Sequence, residues 1–261
     1  EISACLVGSE MCIRDSLKPQ TQVLASVSID GPTGNVFYAN ATGMVDWSVT
    51  FEGPGGHAWT ASGTPSAVQA ACRAAAIICD IELPDNPKTT STVSLIEGGQ
   101  AIHGIAQKAV MKINMRSNDQ EELEKLNEKM IAAFERGVVL ENARYGKEGV
   151  VKVTYEKELD VPAGSQCNDA RIIQVAKLVT QACGLEPELK KGGCTNANMP
   201  IFDGIPAITY GRGGKEYGTH TLLEWFDPTG VEVCEQKSLL TLLLIAGIEN
   251  CVTPLGETLK S

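Results

Sequence analysis

Histidine is scarce in this sequence, and positive charge is short of negative. Lys and Arg number 22 against 32 Asp and Glu, a formal net charge of -10 at pH 7, and such a field repels both a nucleic-acid backbone and an anionic membrane. Neither is expected as a partner. No apolar run approaches the roughly 20 residues of a membrane span. The longest, Leu239 to Ile248, is expected to be a buried helix. The nine cysteines include no Cys-x-x-Cys pair, and Cys72, Cys79, Cys183, Cys234 and Cys251 fall among apolar, helix-like positions. They read as reduced, buried thiols of a cytoplasmic protein. Gly192-Gly193 and the run Gly211 to Gly214 lack both a following Lys-Ser/Thr and the G-x-G-x-x-G spacing, which argues against a phosphate loop.

What is present is an ordinary composition, 43% hydrophobic and 21% charged over 261 residues, enough for one large or two modest cores. Small-molecule chemistry fits this balance best. The opening EISACLVGSEMCIRDS, residues 1–16, shows no periodicity and no basic region ahead of an apolar stretch. It reads as a non-native leader, with native sequence expected from near Leu17 and the native N-terminus missing.

Two modules follow. Gln22 to Ile29 is strand-like and stops at the turn Asp30-Gly31-Pro32, which leaves a carboxylate at a strand end. Val45 to Phe51 alternates as a strand, and Thr64-Pro65 is expected to cap a helix reaching Asp80. Strands over Thr90 to Leu95 and Ala109 to Met115 flank a loop, Glu97 to Ile105, that holds His103. A charged helix is expected over Asp119 to Glu135 and a strand over Val150 to Tyr155. The order β-α-β-β-α-β across residues 44–158 is that of a ferredoxin-like unit, a four-stranded antiparallel sheet with both helices on one face. Beyond Pro162 the pattern becomes α/β: a helix from Asn168 to Cys183, a strand Ala207 to Tyr210 and a helix from Gly230 to Asn250. Residues 17–43 and 159–261 thus read as part of a doubly wound α/β domain, interrupted by the ferredoxin-like unit and lacking its front half.

Two of the three histidines lie in glycine-flanked stretches, where a side chain is free to meet a metal or a substrate. His57 follows Gly53-Pro54-Gly55-Gly56. It is either the tip of a hairpin or a functional group on backbone brought close to another surface. His220 is a loop residue and Asp30 a turn residue, yet both lie just beyond strand ends, where open α/β sheets bind ligands. Arg116 ends an alternating strand, either as a solvated edge residue or as a carboxylate clamp. Thr195 and Asn196 precede a short predicted helix at Met199 and read first as its N-cap.

Six segments, SIDG (Ser28 to Gly31), GPGGHAW (Gly53 to Trp59), GGQAIHGIAQKAVMKINMRS (Gly98 to Ser117), GGCTNANMP (Gly192 to Pro200), GIPAITYGRGG (Gly204 to Gly214) and GTHTLLEW (Gly218 to Trp225), together resemble the M20 family of metallopeptidases. The resemblance is nearest to its peptidase-T-like members and runs from about Val23 to Ile248. It implies a zinc-binding α/β domain carrying an inserted ferredoxin-like lid that dimerises. It also implies two zinc ions, or cobalt or manganese, with Asp30 the carboxylate ligand of one and His220 the terminal ligand of the other. His57 would reach the active site of the neighbouring subunit. Arg116 and Thr195 would hold the substrate carboxylate.

Two positions depart from the family pattern. His103 stands where the family usually has Asn, so a titratable donor would face the oxyanion. Asn196 stands in a substrate-binding segment where Asp is frequent. The family's His-x-Asp pair, bridging Asp and Glu-Glu have no counterpart within Glu1 to Ile29. The chain as given is therefore expected to be an inactive fragment of a zinc-dependent peptidase of short peptides. The rival readings are an amidohydrolase of N-acyl amino acids and a non-catalytic dimerisation or ligand-binding protein.

Overall fold

The computed structural model describes residues 23–31, 33–218 and 221–255; the expected leader, residues 1–16, lies outside them. In chain order the elements are β1 (Ser26–Ile29), β2 (Val36–Tyr38), β3 (Gly43–Glu52), β4 (Gly56–His57), α1 (Ala67–Cys79), β5 (Thr89–Gly98), β6 (Gly104–Ile105), β7 (Lys108–Ser117), α2 (Gln120–Ala143), β8 (Lys152–Val161), α3 (Arg171–Ala182), β9 (Glu188–Lys190), α4 (Asn198–Phe202), β10 (Ala207–Tyr210), β11 (Lys215–Tyr217), β12 (Trp225–Asp227) and α5 (Glu232–Ala246). The chain is mixed α/β. It divides into two compact units, Gly43–Asp160 and the residues flanking it on both sides.

In the inserted unit, Val45, Trp47, Val49 and Phe51 of β3 are buried at every second position, as are Ala109, Met111, Ile113 and Met115 of β7. The antiparallel register sets Val45 opposite Met115, Trp47 opposite Ile113 and Val49 opposite Met111. Both strands therefore turn their apolar side chains to one face. α1 and α2 close over that face in a single core with Phe134, Met130 and the α1 alanines. The sheet order β5-β7-β3-β8 is the ferredoxin-like order of a split β-α-β unit.

The alanines of α1 have a geometric purpose. A Cβ placed on Gly137 of α2 would lie 2.8 Å from the Ala70 carbonyl oxygen and 2.8 Å from the Ala74 amide nitrogen, so the two helices cross backbone against backbone. That contact carries α2 through a glycine to Ala143, well beyond the expected end at Glu135, although an interior glycine costs about 1 kcal/mol. Asp119 caps α2, accepting from the Glu122 N–H at 2.9 Å. The start of α1 differs from expectation. Ser66, not Thr64, is the N-cap, and its side chain makes no capping bond. Instead the buried Glu141 carboxylate accepts the Ser66 N–H at 3.2 Å and the Arg73 Nε–H at 3.0 Å. A residue far along the chain thus satisfies an N-terminal donor of α1.

In the flanking unit the sheet order is β1-β10-β2-β9. β10 is buried along its whole length, as an interior strand covered on both faces must be. β1 pairs parallel to β10, but β2 runs antiparallel to β10 and β9 parallel to β2. The sheet is thus mixed, with one antiparallel pair between its parallel ones. β2, β9, β11 and β12 were not expected at all. Each is three residues long, too short for periodicity to register.

The apolar run in the last helix is also not fully buried. Leu239 is 58% exposed, and Leu240 and Leu242 are exposed as well. Apolar residues surround this helix on all sides, and the described core receives only Cys234, Thr241, Lys237 and Ile245 from it. Among the cysteines, Cys234 is buried, but Cys72, Cys79 and Cys251 are exposed. On α1 the buried face is taken by alanines, which leaves the thiols outside.

Candidate functional site

In the flanking unit the chain turns at the end of β1. The Asp30 N–H donates to the Tyr210 carbonyl at 2.9 Å, and one Asp30 carboxylate oxygen accepts the Gly31 N–H at 2.7 Å. A cleft of about 250 Å³ opens there, lined by Asp30, Gly31, Tyr38, Gly193, Cys194 and Thr195. The fold thereby brings together Asp30 and Thr195, which are far apart in sequence. Thr195 is anchored: its hydroxyl lies 2.6 Å from that of Thr209 and accepts the Ala197 N–H at 3.2 Å. It supports the turn before α4, whose N-cap is Ala197 and not Thr195 or Asn196. Asn196 is exposed beside it.

Asn198 escaped the sequence reading. It is buried, donates to the Thr42 carbonyl at 2.7 Å and the Pro162 carbonyl at 3.2 Å, and accepts the Thr195 N–H at 3.0 Å. It ties Thr195 to the two segments between which the inserted unit leaves and returns. The one signal for it is an amide among Ala197, Met199, Pro200 and Ile201, since a buried amide has to be satisfied.

His220 lies outside the described residues. Among the described residues no group of three or more His, Cys, Asp or Glu side chains could hold a metal ion. Among the described residues Asp30 is the single carboxylate lining the cleft, and a zinc site takes three or four protein ligands. The described side chains therefore do not fit a metal by themselves.

In the inserted unit, β4 pairs with β6 so that His57 stands opposite Gly104. The Ala58 N–H donates to the His103 carbonyl at 2.7 Å, so both histidines share one short hairpin-like ladder, exposed to solvent. Gly55 (φ +69°) and Gly56 (φ +146°) take backbone conformations that side chains rarely adopt, and a Cβ on them would collide with Gln107 and Ala61. Their close approach is thus to their own unit, and the sequence expectation of another surface is not needed to explain them. His57 Nδ1 accepts the N–H groups of Trp59 at 3.2 Å and Thr60 at 3.4 Å. In the neutral ring the proton then sits on Nε2, which is left as a donor. Arg116 is at the opposite end of β7, with Nε donating to Asn114 at 3.2 Å. From Lys108, beside the histidine ladder, to Arg116 is eight strand steps, roughly 27 Å at about 3.4 Å per residue.

Residues 40–139 match the family model of the peptidase dimerisation domain, and the chain contains this domain of the M20 family. The fold is similar to that of aminopeptidase PepT from Bacillus cereus, at 22% identity and a TM-score of 0.66 over 87% of this chain and 57% of that one. It is also similar to a tripeptidase from Staphylococcus aureus, at 20% identity and a TM-score of 0.68 over 89% of this chain and 61% of that one. An amidase of the hydantoinase/carbamoylase family from Burkholderia vietnamiensis gives 16% identity and a TM-score of 0.62, over 84% and 53% of the two chains. The chain spans about 57 to 61% of the length of the first two structures. Comparison with curated protein sequences gives no match.

Proposed function

We propose that the chain forms part of a homodimeric, metal-dependent peptidase acting on short peptides. The observation that carries this reading is the ring of His57, whose Nδ1 is held by two backbone N–H groups so that Nε2–H is left as a donor. A rigid donor on an exposed tip suits a charge that develops only in the transition state. His57 donates to the oxyanion of the attacked carbonyl, with His103 beside it as a second donor. Arg116, Thr195 and Asn196 hold and orient the substrate carboxylate. His57 and Arg116 lie at opposite ends of the inserted sheet, and a dipeptide spans only about 7 Å. A substrate touching both therefore draws them from two subunits.

Asp30 is assigned as one metal ligand and His220 as another, the remaining ligands coming from outside the described residues. When bound, zinc, or cobalt or manganese in its place, supplies Lewis-acid polarisation of the carbonyl. The 261-residue chain by itself is expected not to hydrolyse tripeptides, because two ligands hold such an ion poorly. Chelator-sensitive turnover by the purified chain would overturn that expectation.

The main test uses the protein with its complete metal site. His57→Ala lowers kcat about 100- to 1,000-fold with little change in KM. Mixed with Asp30→Ala, it forms heterodimers that regain one working site. Subunit exchange without recovery would show that His57 serves its own subunit or none. The likeness to an amidase supports a second reading, hydrolysis of N-acyl amino acids; a panel of tripeptides and N-acyl amino acids assayed side by side separates the two.

A further inference from the structure

The inserted unit has a cavity of its own, of about 220 Å³, lined by the hydroxyl-bearing residues Ser62, Thr64, Ser66 and Tyr145 and by Gln69. It opens at the N-terminus of α1, a 13-residue helix with no acidic residue in its first turn. Ser66 is only 7% exposed, and its hydroxyl has no hydrogen-bond partner among the described residues. The cavity that Ser66 lines is where a partner for this hydroxyl fits. Gln69 Oε1 is occupied by the Arg144 guanidinium at 3.0 Å, which leaves the Gln69 amide nitrogen to donate. Arg144 also lies over the Tyr145 ring at 5.0 Å, so its cation rests against two residues of the cavity wall. The one acid below, Glu141, is already matched by Arg73 and the Ser66 N–H.

Donors in excess, the positive end of a helix, an unmatched guanidinium and a neutralised carboxylate together select a small anion. We propose that this cavity binds a small oxyanion, a carboxylate or phosphate group, and that its occupancy braces the histidine ladder. The bracing follows from two further wall residues, Ala58 and Gly104, which adjoin His57 and His103. A ligand touching both walls couples the ladder to α1 and to the end of α2. Binding at this site is independent of the hydrolase reading.

The test follows backbone amide resonances of the 261-residue chain during titration with inorganic phosphate or with acetate, each against chloride at constant ionic strength. Saturable shifts at Ser66, Gln69, Ala58 and Gly104, with a Kd on the order of 1 mM, are expected, together with slower amide exchange at Ala58. Ser66→Ala and Arg144→Gln should each weaken binding at least about 5-fold; Gln69→Ala, at an exposed position, serves if the buried Ser66 variant does not fold. Tighter binding of one anion identifies which group the site takes. No saturation by either anion up to about 50 mM, or saturation that survives these substitutions, would overturn the site. Binding without slower exchange at Ala58 would overturn the bracing.

Discussion

The two units solve the problem of burying apolar surface differently. In the inserted unit the inward-facing apolar side chains of β3 and β7 pack against the two helices, and the core includes Trp47 edge-on to both Phe134 and Tyr155 at 5.9 and 5.6 Å. The outer face of its sheet is solvated and carries charge pairs such as Lys112 with Glu158. The flanking unit keeps Phe37, Ile208 and Tyr210 buried, yet leaves Ile29, Leu178, Leu222, Leu223, Trp225 and Leu239 exposed. The inserted unit encloses one continuous core, with Trp59 and Ile102 exposed in its loops; the flanking unit presents more apolar surface that the described residues do not cover. Stability in the first should thus depend on individual core side chains, whereas many apolar residues of the second should be individually dispensable.

The largest expected effect tests that contrast directly. Phe134→Ala removes an aromatic from the centre of the closed core and should cost about 3 to 5 kcal/mol, whereas Leu239→Ser should change stability by less than about 0.5 kcal/mol. Chemical denaturation of both variants measures the difference. Similar losses would mean that the exposed face of α5 is covered after all.

A smaller effect is expected where the two helices of the inserted unit touch. Gly137→Ala places a methyl group against the Ala70 carbonyl and the Ala74 amide, so the helices must separate, at a cost of about 1 to 3 kcal/mol. An unchanged melting temperature would show that the crossing can relax. The same change at an exposed helix-interior glycine would have stabilised by about 0.4 to 1 kcal/mol, so the sign alone decides.

The smallest effect concerns the flanking unit and appears only with pH. Lys237 is fully buried, donates to the Gly34 carbonyl and lies 4.3 Å over the Tyr210 ring. Burial pushes its pKa below the usual lysine value of 10.5. Because the folded state holds this proton less tightly than the unfolded one, stability attributable to Lys237 is greatest above about pH 10.5 and falls as pH drops through its folded value. Burial moves the Tyr210 phenol the opposite way, up to about 12, so it contributes stability below pH 10 that is lost at still higher pH. Unfolding free energies of wild type and Lys237→Met, compared from pH 8 to 10.5, isolate the lysine. The stability of Lys237→Met relative to wild type should decline as pH rises, and a flat difference would show that the ammonium is solvated.

Much of the inserted unit was legible from residue order. Strict alternation in Val45 to Phe51 and Ala109 to Met115 fixes which side chains face inward, and Asp119 ahead of Glu122 marks a helix start. The cap of α1 was not legible, because its acceptor, Glu141, arrives from another helix. In the flanking unit β10 has the bounds expected of it, Ala207 to Tyr210, a short β-branched and aromatic run between turns. β2, β9, β11 and β12 gave no signal, since three residues carry no period and their pairing partners are distant in the chain.

The candidate site divides the same way. Glycines around His57, Asp30 at a strand end and Thr195 before a short helix are local features, and local chemistry is written in the order of residues. That two backbone N–H groups hold His57 Nδ1, that His103 shares its ladder, that Arg116 stands at the far end of the same sheet, and that Asp30 and Thr195 line one cleft were decided only by the tertiary structure. Each of those facts depends on contacts between segments far apart in sequence, which the packing of whole faces selects and no short pattern encodes.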